Sequence, residues 1–494
     1  MSSATAPGRR AAAIAGVVVA LALGLAWPNL HPAGPLLPTD DLYSHLSVAR
    51  HLVRGDGFLC DVTYPLSFAW PWARALPQPL AHRPPAWPVV LALPYAMAGP
   101  DPAAVVTAVG VLQRGLLALA AGLGTAAWIR RGRPGAAAAW VVALTACPLL
   151  PYVVDWGHTE LPAAVLLLGC WLRYREGTLT PGPLDGAITA ALALLRPELA
   201  WLPLAWWAWL KRPSPGSDGR SGRRGLLVAL AVALALVAPW LARNVRVTGD
   251  PFFSVQAAAE LAKDTRRWPG YDVYRQLEPQ PPWRALREYP EAVARKTARG
   301  LRFYAQEFPS LLPWAVPVLL LVGVAAGLRA PARRTRGPAA TAALSAVALA
   351  ILYAPLDHSL RHLVAIAPVL AWEAAPWLGE WPWTLLPARL IRWRRAPATV
   401  LVAAVLVALP LAELTRREPT GWASSAQAAA TRVDASLAEA ARLRALPADD
   451  TAFTDSAAAI WLADRPAVWS PLDAQVANRI AAWLAPTAGG PGAP

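Results

Sequence analysis

The chain has 494 residues, 56% hydrophobic and 16% charged, with a formal net charge of +15 and a mean hydropathy of +0.35. A soluble globular chain carries about 25% charged residues, so this composition excludes an ordinary soluble domain. The positive charge falls in short clusters between apolar runs, which sets aside a nucleic-acid footprint.

In chain order, the first apolar run, 11–30, follows Arg9 and Arg10 and passes Trp27 without a small-residue cleavage site. That predicts an uncleaved first span rather than a signal peptide. Next, Thr39–Phe58 (TDDLYSHLSVARHLVRGDGF) predicts an amphipathic helix. Leu42, Leu46, Ala49 and Leu52–Val53 recur at helical spacing, Asp40 and Asp41 open the run, and Gly55 and Gly57 stop it. The run 86–99, broken by Pro88 and Pro94, falls short of the roughly 20 residues a span needs and is expected to lie at the membrane surface. Further runs at 104–128, 136–152, 160–172, 183–195, 199–210, 225–242, 310–328, 338–353, 363–379 and 398–415 bring the expected spans to about 11. The predicted class is an all-α polytopic membrane protein with interfacial helices in its first outer loop.

With that count, the clusters Arg9–Arg10, Arg130–Arg133, Arg173–Arg175, Lys211–Arg224, Arg329–Arg336 and Arg389–Arg395 all fall on one side. The positive-inside pattern makes that side cytoplasmic, as in a bacterial inner membrane. The other side receives the first outer loop 31–103, the short loop 153–160, the large outer loop 243–309, the loop 354–362 and the tail 416–494. Every histidine, His31, His45, His51, His82, His158, His358 and His362, lies on that outer side. Two regions follow: a transmembrane region 1–415, and a small extracytoplasmic α/β unit 416–494. In the tail, 425–446 reads as a helix and 448–469 as a strand–helix–strand unit expected to pack on the bundle or on 243–309. Cys60, Cys147 and Cys170 suggest no disulfide framework, and no internal repeat is evident.

Candidate chemistry collects at the outer face. Asp40 and Asp41 have a plain reading as a helix cap and dipole complement, worth about 1 kcal/mol. Their functional reading is a carboxylate that takes a proton from an acceptor or binds a metal. His45 lies one turn beyond Asp41 on the same face. Arg83, preceded by His82, stands before Pro84–Pro85, which fixes its direction. The loop VVDWGHTE (153–160) supplies Asp155, His158 and Glu160. LLRPELAW (194–201) sets Arg196 and Glu198 in an apolar hairpin, where an interfacial ion pair is the plain alternative. Arg243 with Asn244, and Arg361 with His362, stand at the outer ends of two further spans. Together Arg83, Arg196, Arg243 and Arg361 suit a lipid phosphate or pyrophosphate held at headgroup depth.

These motifs, in this order, resemble the type C membrane glycosyltransferases, which use polyprenol-phosphate sugars and include protein O-mannosyltransferases and the lipid A aminoarabinose transferase. The resemblance rests on Asp40–Asp41 with Tyr43, the run Ala49–Phe58, Arg83–Pro85, Asp155 or Glu160, Arg196–Glu198, the segment 239–244 with Gly249 and Pro251, and Arg361–His362. It spans about residues 10–415. It implies a polyprenyl-phosphate-sugar donor, an acceptor that is a glycan, lipid or protein, and an active site outside the cytoplasm. It also implies Asp40 or Asp41 as base, an acid at Asp155 or Glu160, and Arg83, Arg196, Arg243, Arg361 and His362 on the departing phosphate. Tyr43, His45, His82 and His158 would support them. His82 stands where some members carry an acid, which leaves open both a metal-independent reaction and one assisted by a divalent ion, Mg or Mn. The competing expectations are a lipid-pyrophosphate-dependent oligosaccharide ligase, a transporter or flippase of lipid-linked glycans, and a non-catalytic scaffold.

Overall fold

The computed structural model describes residues 6–30, 40–175, 181–210, 219–312, 316, 337–384 and 426–485. The expected span 398–415, most of 310–328, the linker 211–218, His31 and the clusters Arg329–Arg336 and Arg389–Arg395 lie outside these residues.

The first helices are α1 (Ala6–Leu30), α2 (Asp40–Arg54), α3 (Ala86–Ala98), α4 (Pro102–Arg130), α5 (Pro134–Thr145) and α6 (Leu150–Asp155). They are followed by α7 (Glu160–Arg175), α8 (Pro183–Leu195), α9 (Trp201–Leu210), α10 (Gly219–Thr248), α11 (Pro282–Glu288) and α12 (Pro290–Glu307). Then come α13 (Gly337–Tyr353), α14 (Ala367–Thr384), and, in the tail, α15 (Ala426–Ala445), α16 (Ala457–Ala463) and α17 (Ala474–Leu484). Among the described residues, three helices, α1, α4 and α10, are long and apolar enough to cross a membrane by length and composition. They turn bare Val17, Leu21 and Leu25, Val111 and Leu119, and Leu227 and Leu234 outward, as lipid contact requires.

Sequence chemistry explains where these helices meet and break. Helices α1 and α4 cross at Gly16 and Gly122, where a Cβ on Gly16 would come within 2.8 Å of the Gly122 carbonyl oxygen. Small residues let the two backbones approach without an interhelical hydrophobic driving force. Asp101 caps α4, accepting from the Ala103 and Ala104 amides, and Pro102 fills the first position. The run expected as one span at 136–152 is instead two helices, α5 and α6, with the chain irregular between them. Pro148, which lacks an N–H and disfavours helical geometry in the residue before it, accounts for the break. Helix α3 is the 13-residue element expected at the surface, and it carries exposed Val89, Leu93 and Met97.

The connecting loops and the tail build two small sheets. Strand β1 (Leu59–Cys60) pairs antiparallel with β3 (Gln78–Pro79). Strand β2 (Val62–Thr63) joins a parallel sheet with two tail strands, β4 (Phe453–Thr454) and β5 (Ala467–Trp469). Strand β5 is central, with Val62 opposite Ala467 and Phe453 opposite Val468. The tail therefore completes its sheet with a strand of the first loop. It also meets the loop after α10, where the Leu472 amide donates to the Arg275 carbonyl at 2.8 Å and Arg275 pairs with Asp455 at 2.7 Å.

Beneath this sheet, the C-terminal half of α2 is held by buried charge. Asp61 accepts from Ser47 Oγ at 2.8 Å, Arg50 Nη2 at 2.7 Å and His51 Nε2 at 2.9 Å. His51 Nδ1 meets Asp56 at 2.9 Å. Two carboxylate acceptors fit a ring protonated on both nitrogens. The Asp61 hydrogen bond is the main reason that the His51 proton affinity is raised, against burial and Arg50 and with help from Asp56. A raised folded value stabilises the fold fully below the unfolded value of 6.5 and loses that contribution as pH rises through the folded value. His51→Gln is expected to flatten the fall in Tm on the alkaline side of neutrality, read by thermal melting in detergent across that range. An alkaline limb unchanged from wild type would count against this role.

Candidate active site

Each site residue is delivered by an element end. Asp41 is in the first turn of α2, and Arg83 follows β3 just before the Pro84–Pro85 step into α3. Glu160 opens α7, and Arg196 ends α8 with an extended φ of −148° before a short 3₁₀ turn. Arg361 and His362 lie on the 3₁₀ turn Leu360–Leu363 between α13 and α14. Loops between helices otherwise distant in sequence thus bring their cations to one level.

The carboxylate of Asp41 is gripped from both sides. Arg83 Nη2 donates to Oδ1 at 2.5 Å and Arg361 Nη1 to Oδ2 at 2.7 Å. Arg361 Nε lies 3.9 Å from Glu160 Oε1, and the same oxygen receives Arg196 Nη1 at 2.7 Å. Arg196 also donates through Nε to Glu198 at 2.8 Å, and through Nη2 to the Tyr353 hydroxyl at 3.1 Å and to His362 Nδ1 at 2.9 Å. A guanidinium only donates, so Nδ1 accepts and the ring proton of His362 sits on Nε2. Nε2 in turn donates to Asp357 Oδ2 at 2.8 Å, and Lys263 stands 3.4 Å from Asp357 Oδ1. The result is one chain of alternating charge from Arg83 to Lys263.

Three histidines surround it, His45, His82 and His158, all buried. Burial, reinforced by the Arg83 charge, holds His45 well below its ordinary value and His82 down to about 3. Burial also lowers His158 to about 4, with nearby Glu160 opposing it. Burial alone would raise Asp41, but Arg83 and then Arg361 hold its carboxyl well below the usual carboxylate range. Among the described residues His45 Nδ1, His82 Nε2, His158 Nε2, Arg83 Nε and Glu160 Oε2 are buried with no hydrogen-bond partner. Buried polar atoms are nearly always satisfied in native structures, so these are capacity for a ligand or ordered water.

Asp155, Arg243 and Tyr43, all singled out in the sequence, stand apart from this chain. Asp40 is the first residue of α2, and its side chain lies outside the described residues. Asp155 is raised to about 6 by burial, with Trp27 and Arg114 as its neighbours rather than the arginines of the site. Of the two acids in that loop, Glu160 is the one in the ion chain. Arg243 is taken up by backbone carbonyls, with Nη1 donating to Leu80 at 2.5 Å and Nη2 to Phe58 at 3.4 Å. Tyr43 turns to the tail, with its ring 5.3 Å from that of Trp461. Asp357, Lys263 and Tyr353 joined the chain without a sequence signal of their own. Among the described residues no three His, Cys, Asp or Glu side chains converge as a metal-ligand set, and both Asp41 oxygens are engaged by arginines. The described residues do not fit a divalent ion.

No protein-family model matches the chain, and no curated protein sequence matches it. Solved structures do. The crystal structure of ArnT from Cupriavidus metallidurans bound to undecaprenyl phosphate superposes with a TM-score of 0.54 at 15% identity, over 96% of this chain and 89% of that one. The apo state of the same protein gives a TM-score of 0.52 at 14% identity, over 94% and 87%. The chain has the ArnT fold. The likeness read from short motifs extends to the architecture. The ArnT fold here covers nearly the whole chain, tail included.

Proposed function

We propose that the protein is an inverting glycosyltransferase that moves a sugar from a polyprenyl-phosphate donor to an acceptor at the outer face of the cytoplasmic membrane. The observation that carries this reading is the convergence of Arg83 and Arg361 on Asp41, with Arg196 joined to Arg361 through Glu160, in a fold whose solved member binds undecaprenyl phosphate. The tail and the loops carrying the site would face away from the cytoplasm.

The chemistry follows from the charges. A polyprenyl phosphosugar is a phosphodiester with one negative charge, and departure of the sugar leaves a monoester with two. Guanidinium groups that meet the extra charge stabilise the transition state more than the ground state. The acceptor O–H or N–H attacks the anomeric carbon from the face opposite the phosphate, and that carbon's bond to the phosphate oxygen breaks. The bonding pair leaves with the lipid phosphate, the acceptor proton goes to Asp41, and the anomeric centre inverts.

Both oxygens of Asp41 occupy arginine donors that a phosphate needs. The carboxylate therefore holds the phosphate's place. An arriving phosphodiester draws the guanidinium groups to itself and leaves Asp41 more basic when an acceptor must be deprotonated. Donor binding first is the order this predicts.

The test is purified protein in detergent, given polyprenyl phosphosugars of defined headgroup and followed by native mass spectrometry. Expected are a retained lipid-phosphate species, release of polyprenyl phosphate on addition of a competent acceptor, and inverted product by NMR. A protein that neither holds nor consumes any polyprenyl phosphosugar would sink the reading.

A further inference from the structure

The helix that presents Asp41 is fastened at its far end by the tail, and we propose that this tail clamp positions Asp41, with Asp464 as its central positioning residue. The inference rests on the transferase reading for Asp41 but on separate contacts.

Helix α2 runs from Asp40 to Arg54, so its two ends are about 20 Å apart. Asp41 is at one end, and the other carries Arg50 and Arg54. Arg50 is buried, yet it donates to the Trp461 carbonyl at 2.8 Å and lies 3.0 Å from Asp464 Oδ1. Arg54 forks onto both oxygens of Asp464, at 3.1 and 2.6 Å. Trp461 adds its ring against Tyr43 near the Asp41 end. One short helix of the tail, α16 with its C-cap, thus touches α2 along its length.

Two features mark Asp464 as more than a surface partner. Its φ is +52°, the left-handed region that a non-glycine residue occupies at a cost. The site would take glycine without strain, and the carboxylate is what glycine lacks. Arg50 already has Asp61, through which the β2–β5 sheet is joined as well, the Ala467 amide donating to the Asp61 carbonyl at 3.0 Å. Sheet and carboxylate therefore fix α2 from two directions, so that a loosened clamp lets the helix pivot and swings Asp41 relative to Arg83 and Arg361. A misplacement near 1 Å costs on the order of 100-fold in rate, so a partial loosening is expected to cost about tenfold.

The experiment uses the full-length protein with Asp464→Asn, Asp464→Gly and, as a control, Asp455→Asn. The last removes the tail's ion pair to Arg275, away from α2. Asparagine keeps the tolerance for the left-handed turn, and glycine relieves its strain, so neither is expected to unfold the tail. Backbone hydrogen exchange over residues 41–49 is read by mass spectrometry, beside turnover per bound lipid phosphate, which corrects for any inactive fraction. Expected for both Asp464 variants are several-fold faster exchange over 41–49 and about tenfold lower turnover per binding site, with lipid-phosphate affinity retained. Asp455→Asn should match wild type. Exchange over 41–49 unchanged in both Asp464 variants overturns the clamp, whatever the turnover. Faster exchange in a protein whose wild type transfers no sugar keeps the clamp and removes the transferase reading instead.

Discussion

Asp41→Asn is expected to stop sugar transfer while tightening the hold on polyprenyl phosphate. A positioned general base contributes roughly 100- to 10,000-fold, so kcat should fall by about that much. Binding should move the other way. In the wild type a lipid phosphate competes with a carboxylate for Arg83 Nη2 and Arg361 Nη1. The amide carries no charge, so it is displaced more easily and repels the phosphate less. A gain on the order of tenfold in affinity corresponds to about 1.4 kcal/mol. Titration of undecaprenyl phosphate into both proteins by calorimetry reads the sign directly, and weaker binding by the variant would refute the place-holding role. The pH dependence carries the same signature. Arg83 and Arg361 hold the Asp41 carboxyl well below its ordinary value in the free protein, despite burial. A lowered carboxylate value means that the ion pair's stabilisation is present above the unfolded value and is lost as pH falls through the folded one. Once donor has drawn the arginines away, the carboxyl should titrate higher. The acid limb of kcat, which reports the bound complex, should therefore lie at higher pH than the acid limb of kcat/KM.

Much of this architecture could be read along the chain, and the parts that could not share a physical cause. Helical spacing in Leu42, Leu46 and Ala49 places α2 within Thr39–Phe58, since an amphipathic period is a local property. Arg196 stands out because a guanidinium among apolar neighbours must have a partner, and Arg361 because it stands at the outer start of a span. Which partner is non-local: Arg361 meets Asp41 from 320 residues away. Asp155 and Glu160 were equivalent in sequence, and the turn between them, with Gly157 at φ +69°, decides which one faces the arginines. Tyr43 lies two residues from Asp41, about 200° around the helix, and so faces the tail. Asp357 and Lys263 look like ordinary loop charges until the fold sets them beside His362. The pairing of β2 with β5 joins strands of two and three residues, too short for any alternation to be legible.

The second large effect expected is on stability, at Arg196. Its guanidinium and Glu160 are nearly inaccessible, with side-chain exposures of 7% and 3%. Removing one partner of such a pair leaves a buried, uncompensated charge, typically at a cost of about 3–5 kcal/mol. Arg196→Ala should accordingly lower Tm sharply, since Glu160, Glu198 and His362 all lose a donor at once. The double variant Arg196→Met with Glu160→Gln removes both charges at similar volume and should recover most of that loss, because desolvated ion pairs give little net stability over apolar replacements. What it should not recover is the grip on phosphate. Arg196 is tied to Arg361 through the shared Glu160 oxygen, so the pair acts as one cationic wall. A double variant that is folded yet weak in undecaprenyl phosphate binding would separate the two duties of Arg196. If the refolded double variant binds as tightly as wild type, Arg196 is structural, and the phosphate is held by Arg83 and Arg361 without it. The buried pair would then be retained for placement alone, keeping the α7 and α8 ends and the His362 turn at one level.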